Sequence, residues 1–155
     1  MTGREGGCFC GAVRYRVEGE PLDAGYCHCR MCQRTAGAPA VAWATWPRER
    51  FAWLGPEPRS LHSSEVGRRR FCGDCGTHLL FWTADAPALL DVNLATLDNP
   101  AAVRPEYHIW TASRIPWFET ADTLPRYPDG GADDRTMRDH GQPAAHAVGG
   151  PGGRT

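Results

Sequence analysis

Apolar and charged residues alternate over residues 11–17, with Val13, Tyr15 and Val17 on one face and Arg14 and Arg16 on the other. A period of two predicts a half-buried strand. Residues 41–46, stopped by Pro47, read as a second strand. Residues 51–54 and 60–63 read as two more, parted by the Gly55-Pro56-Glu57-Pro58 turn. Residues 77–83 and 89–97 follow; in the latter, Leu90, Val92 and Leu94 alternate with Asp91 and Asn93. Residues 107–111 form a last short strand, and 27–35 are helix-tolerant enough for one turn.

Composition sharpens this picture. Glycine and proline together account for 31 of 155 residues. That share argues against a helical bundle and for an all-β fold of short strands joined by many turns. Residues 129–155 carry seven glycines, two prolines and no aromatic residue. They read as a flexible Gly/Pro-rich tail, leaving residues 1–128 as one domain.

Net charge is -1, so no chain-wide basic field invites nucleic acid or an anionic membrane. No run of about 18 apolar residues is present, and residues 1–7 lack the apolar stretch of a signal peptide. A cytoplasmic location is expected. All 17 basic residues are arginine, which removes any Schiff-base, P-loop or general-base lysine.

Seven cysteines fall into three short-range groups: Cys8 and Cys10; Cys27, Cys29 and Cys32; Cys72 and Cys75. An odd number, grouped as C-x-C, C-x-C-x-x-C and C-x-x-C, points to metal rather than disulfides. The turn Cys72-Gly73-Asp74-Cys75-Gly76 resembles a zinc-ribbon knuckle and needs a second pair. Spacing allows Cys8 and Cys10 to supply it, or two of Cys27, Cys29 and Cys32. The first partition is preferred, because it closes one four-cysteine zinc and leaves an intact three-cysteine group with a fourth corner open. His28 would complete that group only with strain, as it sits between two ligands. The alternative for the group is a second structural zinc closed from elsewhere in the chain.

Four ordered motifs carry a family resemblance. Residues 7–15 (Gly-Cys-Phe-Cys-Gly-Ala-Val-Arg-Tyr) resemble an opening motif, and residues 27–34 with Gly37 resemble a C-H-C-x-x-C segment. Residues 71–77 resemble a knuckle. His108-Ile109-Trp110, Pro116-Trp117 and Leu124-Pro125 resemble a closing segment. Over about residues 6–127 the chain is similar to the glutathione-dependent formaldehyde-activating enzyme family, which also contains centromere protein V.

The resemblance implies stacked short antiparallel sheets around a zinc-ribbon-like knuckle. It implies Cys8, Cys10, Cys72 and Cys75 as ligands of a structural zinc. It implies Cys27, Cys29 and Cys32 as ligands of a second, catalytic zinc. The implied reaction joins a small thiol such as glutathione to a small aldehyde such as formaldehyde, a carbon–sulfur lyase reaction in reverse. The expected site therefore has a thiol bound at the open corner of the three-cysteine zinc, facing a pocket wide enough for glutathione.

Arg30 and Arg34 flank this group and are candidates to offset its charge or hold a carboxylate. Trp43, Trp46, Trp82, Trp110 and Trp117 are expected in the core. Other readings stay open: a non-catalytic zinc-stabilised module for a protein partner, a nucleic-acid ribbon resting on Arg68-Arg69-Arg70, and a thiol–disulfide oxidoreductase resting on Cys29 and Cys32. Net charge disfavours the second, so no nucleic-acid or membrane partner is expected.

Overall fold

The computed structural model describes residues 3–131. The tail expected from residue 129 therefore falls outside the described residues from 132 onward. Ten strands and one short helix are present among those described. A three-stranded sheet joins β1 (Gly3–Gly7), β2 (Arg14–Glu18) and β5 (Phe51–Trp53), with β2 in the middle.

The larger sheet contains β3 (Asp23–Cys27), β4 (Val41–Pro47), β6 (Arg59–His62), β7 (Gly67–Phe71), β8 (His78–Thr83), β9 (Leu89–Asn93) and β10 (His108–Ile109). Its spatial order is β10-β3-β4-β9-β8-β7-β6. All pairings are antiparallel except β10 on β3, where His108 lies beside Tyr26 and Ile109 beside Cys27. The expected antiparallel stack thus has one parallel edge.

The predicted β2 face holds: Val13, Tyr15 and Val17 are buried. Two strands carry no pattern that sequence reading could use. Three of the five β1 residues are glycine, and at Gly6 a Cβ would collide with the Tyr15 hydroxyl. β3 is built on small residues, Ala24 and Gly25, beneath Trp43 and Tyr107. The strand expected over 89–97 stops at Asn93, where a 3-10 turn, Leu94–Thr96, bends the chain. β7 is the run Gly-Arg-Arg-Arg-Phe, with Gly67 and Arg69 facing inward and Arg68 and Arg70 on the other face. At Gly67 an added Cβ would lie 2.7 Å from Ser64 Oγ and 2.9 Å from the Phe81 ring.

The single helix, α1 (Arg30–Ala36), is longer than one turn. Cys29 is its N-cap, accepting from the Cys32 N–H, and Gly37 ends it at φ 62°. Trp43 and Trp46 are buried and Trp82 and Trp110 half-buried. Trp117 is 75% exposed, against expectation. Its loop curls around the Arg114 guanidinium, which donates to the carbonyls of Ile115, Pro116 and Phe118, and the indole is left outside. The core divides in two. Cys8 and Cys72 belong to one cluster with Tyr15, Trp46 and Val92, and Cys27, Cys29 and Cys32 to a second with Val41, Trp43 and Ile109.

Two candidate metal centres

The first centre is made by two knuckles from different sheets. Residues 8–11 leave β1 and turn back into β2, with Gly11 at φ 82° after the second cysteine. Residues 72–76 link β7 to β8, with Gly76 at φ 78° in the matching place. Glycine is needed at both bends because a side chain strains this region. The sulfurs of Cys8, Cys10, Cys72 and Cys75 all lie within 4.8 Å of one another. Cys8 and Cys10 are 3.5 Å apart, and Cys10 and Cys72 are 3.8 Å apart. A tetrahedral zinc with bonds of about 2.3 Å sets sulfurs about 3.8 Å apart, so the donor set fits zinc.

Thr77 ties the knuckles together. Its hydroxyl accepts from the Phe9 N–H at 3.0 Å and lies 3.2 Å from Cys75 Sγ. Hydrogen bonding from that hydroxyl, more than any other influence, pulls the Cys75 thiol down to about 5. The Val13 N–H points at Cys8 Sγ from 3.2 Å.

The second centre is Cys27 at the end of β3, Cys29 at the helix cap and Cys32 in the first turn of α1. Their sulfurs also lie within 4.8 Å of one another, and all three residues are buried. No fourth His, Cys, Asp or Glu joins the group among the described residues. His28 is not part of it. Its Nε2 lies 2.8 Å from His108 Nδ1, and His108 Nε2 lies 3.1 Å from Asp122, so the imidazole is committed to the C-terminal segment. Burial, then the neighbouring His108, lowers His28 to about 4.

Nor do the flanking arginines serve the thiols. Arg30 donates to the Gln33 side chain and Arg34 is exposed. The cation that does reach the group comes from β7. Arg69 is 2% exposed, and its Nη1 and Nη2 each lie 3.6 Å from Cys32 Sγ. Its guanidinium also stands over the Phe81 ring, 4.9 Å from the centroid. Residues 68–70 read as one basic run, and three like residues in a row offer no alternation that singles out the middle one. The neighbouring thiols, then Arg69, hold Cys32 well below the usual thiol range, while burial pushes Cys27 well above it.

The cavity touching Cys27 and Cys32 is about 20 Å³, closed in by Val41, Trp43, Phe81 and Asn93. That is room for one water-sized molecule, not for a tripeptide thiol. A wider groove of about 390 Å³ shares Val41 and Asn93 as a common wall and is otherwise lined by small and neutral polar residues, including Thr35, Thr77, His78 and Thr96. His78 is 9% exposed and neither ring nitrogen has a hydrogen-bond partner among the described residues. The expected wide pocket is thus beside the thiols rather than on them.

The chain is similar to several known proteins. A curated protein of Halomonas elongata, named as a candidate glutathione-dependent formaldehyde-activating enzyme, is 29% identical over 124 residues, covering 74% of this chain and 79% of that protein. An uncharacterised lyase of Schizosaccharomyces pombe is 28% identical over 81 residues, 52% of this chain and 58% of its own. A crystal structure of a Rhodobacter sphaeroides protein overlaps 65% of this chain and 91% of its own at 25% identity, with a TM-score of 0.48. The family model for the glutathione-dependent formaldehyde-activating enzyme matches residues 3–113, across both cysteine centres, and the chain belongs to that family.

Proposed function

We propose that this protein is a zinc-dependent carbon–sulfur lyase-type enzyme that adds a small thiol of the glutathione class to formaldehyde. The observation that carries the reading is the contrast between the two centres. Four sulfurs close one, whereas three buried sulfurs with no fourth protein ligand among the described residues make the other. Structural zinc sites are closed and catalytic ones keep a position open. Cys8, Cys10, Cys72 and Cys75 hold the structural zinc, and Cys27, Cys29 and Cys32 the catalytic one. When bound there, zinc supplies the positive charge that keeps an incoming thiol ionised.

The chain's own residues do the rest. Three thiolates around a divalent ion leave a charge of -1, which Arg69 beside Cys32 offsets. The small cavity limits the aldehyde to the one-carbon size. The adjoining groove takes the body of the thiol. The thiol loses its proton, sulfur bonds to the aldehyde carbon, and the carbonyl oxygen takes up a proton to give the hydroxymethyl thioether. Seven cysteines grouped for metal rather than paired in disulfides suit a reducing compartment, which supports a cytoplasmic reading. Among the described residues no helix is long and apolar enough to cross a membrane.

The small size of the cavity favours one competing reading, a purely structural second zinc in a partner-binding module. Exchange spectroscopy on zinc-loaded protein with glutathione and formaldehyde separates the two. The enzyme gives exchange faster than the uncatalysed reaction, and this acceleration is lost in Cys29→Ser. An uncatalysed rate, with the second metal unmoved by glutathione, overturns the enzyme reading in favour of the module.

A further inference from the structure

The alternation of β7 that sends Arg69 to the thiols sends Arg68 and Arg70 the other way. There they help to line a cleft of about 450 Å³ with Arg48, Phe51, Trp53 and Trp82. Its volume is that of an ordinary small-molecule site, about 300–1,000 Å³. It lies between the two sheets: Phe51 and Trp53 come from β5 of the small sheet, and Trp82, Leu80 and Leu90 come from β8 and β9 of the large one.

Two properties of the lining converge on one ligand chemistry. The first is charge. Three arginines face one carboxylate, Glu57, which stands 3.6 Å from Arg70. This excess occurs in a chain with 17 basic and 18 acidic residues, so it is not the overflow of a basic protein. Arg48 has no acidic partner among the described residues and lies 5.8 Å from the Trp82 ring centroid. Arg68 is held in place by the carbonyls of Ser64, Glu65 and Gly67. The second is a fixed aromatic surface. Phe51 and Trp53 meet edge to face at 4.6 Å, and the Trp82 indole is anchored by its N–H on the Pro87 carbonyl at 3.1 Å.

The geometry points to a second ligand site, separate from the cysteine centres, for an aromatic phosphomonoester of mononucleotide size. The ring stacks against Trp53, Trp82 and Phe51, and the phosphate dianion meets Arg48, Arg68 and Arg70. Arginine is suited to both parts, since its planar fork binds phosphate and its face stacks on rings. A sugar phosphate or a bare nucleoside satisfies only half of the site.

The test is calorimetric titration of the zinc-loaded full chain with adenosine monophosphate, adenosine and ribose 5-phosphate, with Trp fluorescence as a second readout. Adenosine monophosphate saturates with a Kd below about 1 mM, and each half-ligand binds at least about tenfold more weakly. Arg70→Gln weakens adenosine monophosphate binding about tenfold while thiol–aldehyde exchange is unchanged. Arg48→Met, on the exposed rim, does the same and stands in should Arg70→Gln fold poorly. Three results overturn the site: no saturation at about 5 mM, equal binding of adenosine and its monophosphate, or unaltered binding in a folded arginine variant.

Discussion

Arg69 sets both terminal nitrogens of its guanidinium 3.6 Å from Cys32 Sγ, across 37 residues of sequence and in a place almost sealed from water. A buried cation has to be balanced by the groups it faces, and the Cys32 sulfur is one of them. Arg69→Met should therefore weaken retention of the second metal by about 10–100-fold in chelator competition, with the first metal untouched. In cobalt-substituted protein the sulfur-to-metal charge-transfer band of the three-cysteine centre should shift. Arg69→Lys should restore part of the affinity. Equal affinity in wild type and Arg69→Met would reduce the residue to packing.

The two centres should respond differently to loss of one ligand. Cys72→Ser should leave a protease-sensitive chain, because structural zinc contributes roughly 10–16 kcal/mol in small peptides, comparable to the stability of a domain. Cys29→Ser should fold, since serine is a favoured N-cap and keeps the start of α1. It should hold one metal per chain instead of two. Thermal melts and metal analysis on both variants check this, and equal loss of stability would remove the distinction between the centres.

Burial, then the nearby Arg69, lowers His78 from the usual 6.5 to about 4. The unfolded chain then binds the extra proton between those values. Stability from the neutral imidazole is complete above about pH 6.5 and falls as pH drops toward 4, at up to about 1.4 kcal/mol per pH unit. Urea melts of wild type and His78→Leu over this window should show a shallower slope in the variant. Identical slopes would mean that His78 is already protonated in the fold.

Truncation after Gly131 should leave the melting temperature unchanged, consistent with a dispensable tail. The cut belongs there rather than at 128, because the Trp110 N–H donates to the Asp129 carbonyl and the Ala112 N–H to that of Pro128. A fall of several degrees would show that residues 132–155 pack on the body.

The cysteine groups were legible because metal geometry forces short spacings, β2 because its apolar residues obey a period of two, and β4 because it is a short, almost wholly apolar run stopped by Pro47. β1 was not: its burial is set by how closely Tyr15 approaches Gly6, a fact about a partner strand. Arg69 was hidden because both its neighbours are also arginine. His28 gave no sign of its partner, since His108 is 80 residues away and meets it only through the parallel β10–β3 edge. Trp117 misled because apolar character says nothing about which way a loop curls.

The arginine triplet in β7 has a consequence for how this strand finds its place. In most strands a slip of one residue exposes the buried set and is penalised at once. Here a slip brings another arginine to the thiols and leaves one facing the cleft, so charge and polarity barely discriminate the right alignment from the wrong one. Gly67 does the discriminating. Shifting Arg68 into its position drives a side chain into Ser64 and the Phe81 ring, where even a methyl group forces its neighbours to move. The smallest residue of the strand acts as its punctuation mark. Gly67→Ala would blur that alignment, scattering β7 between frames that each look chemically acceptable.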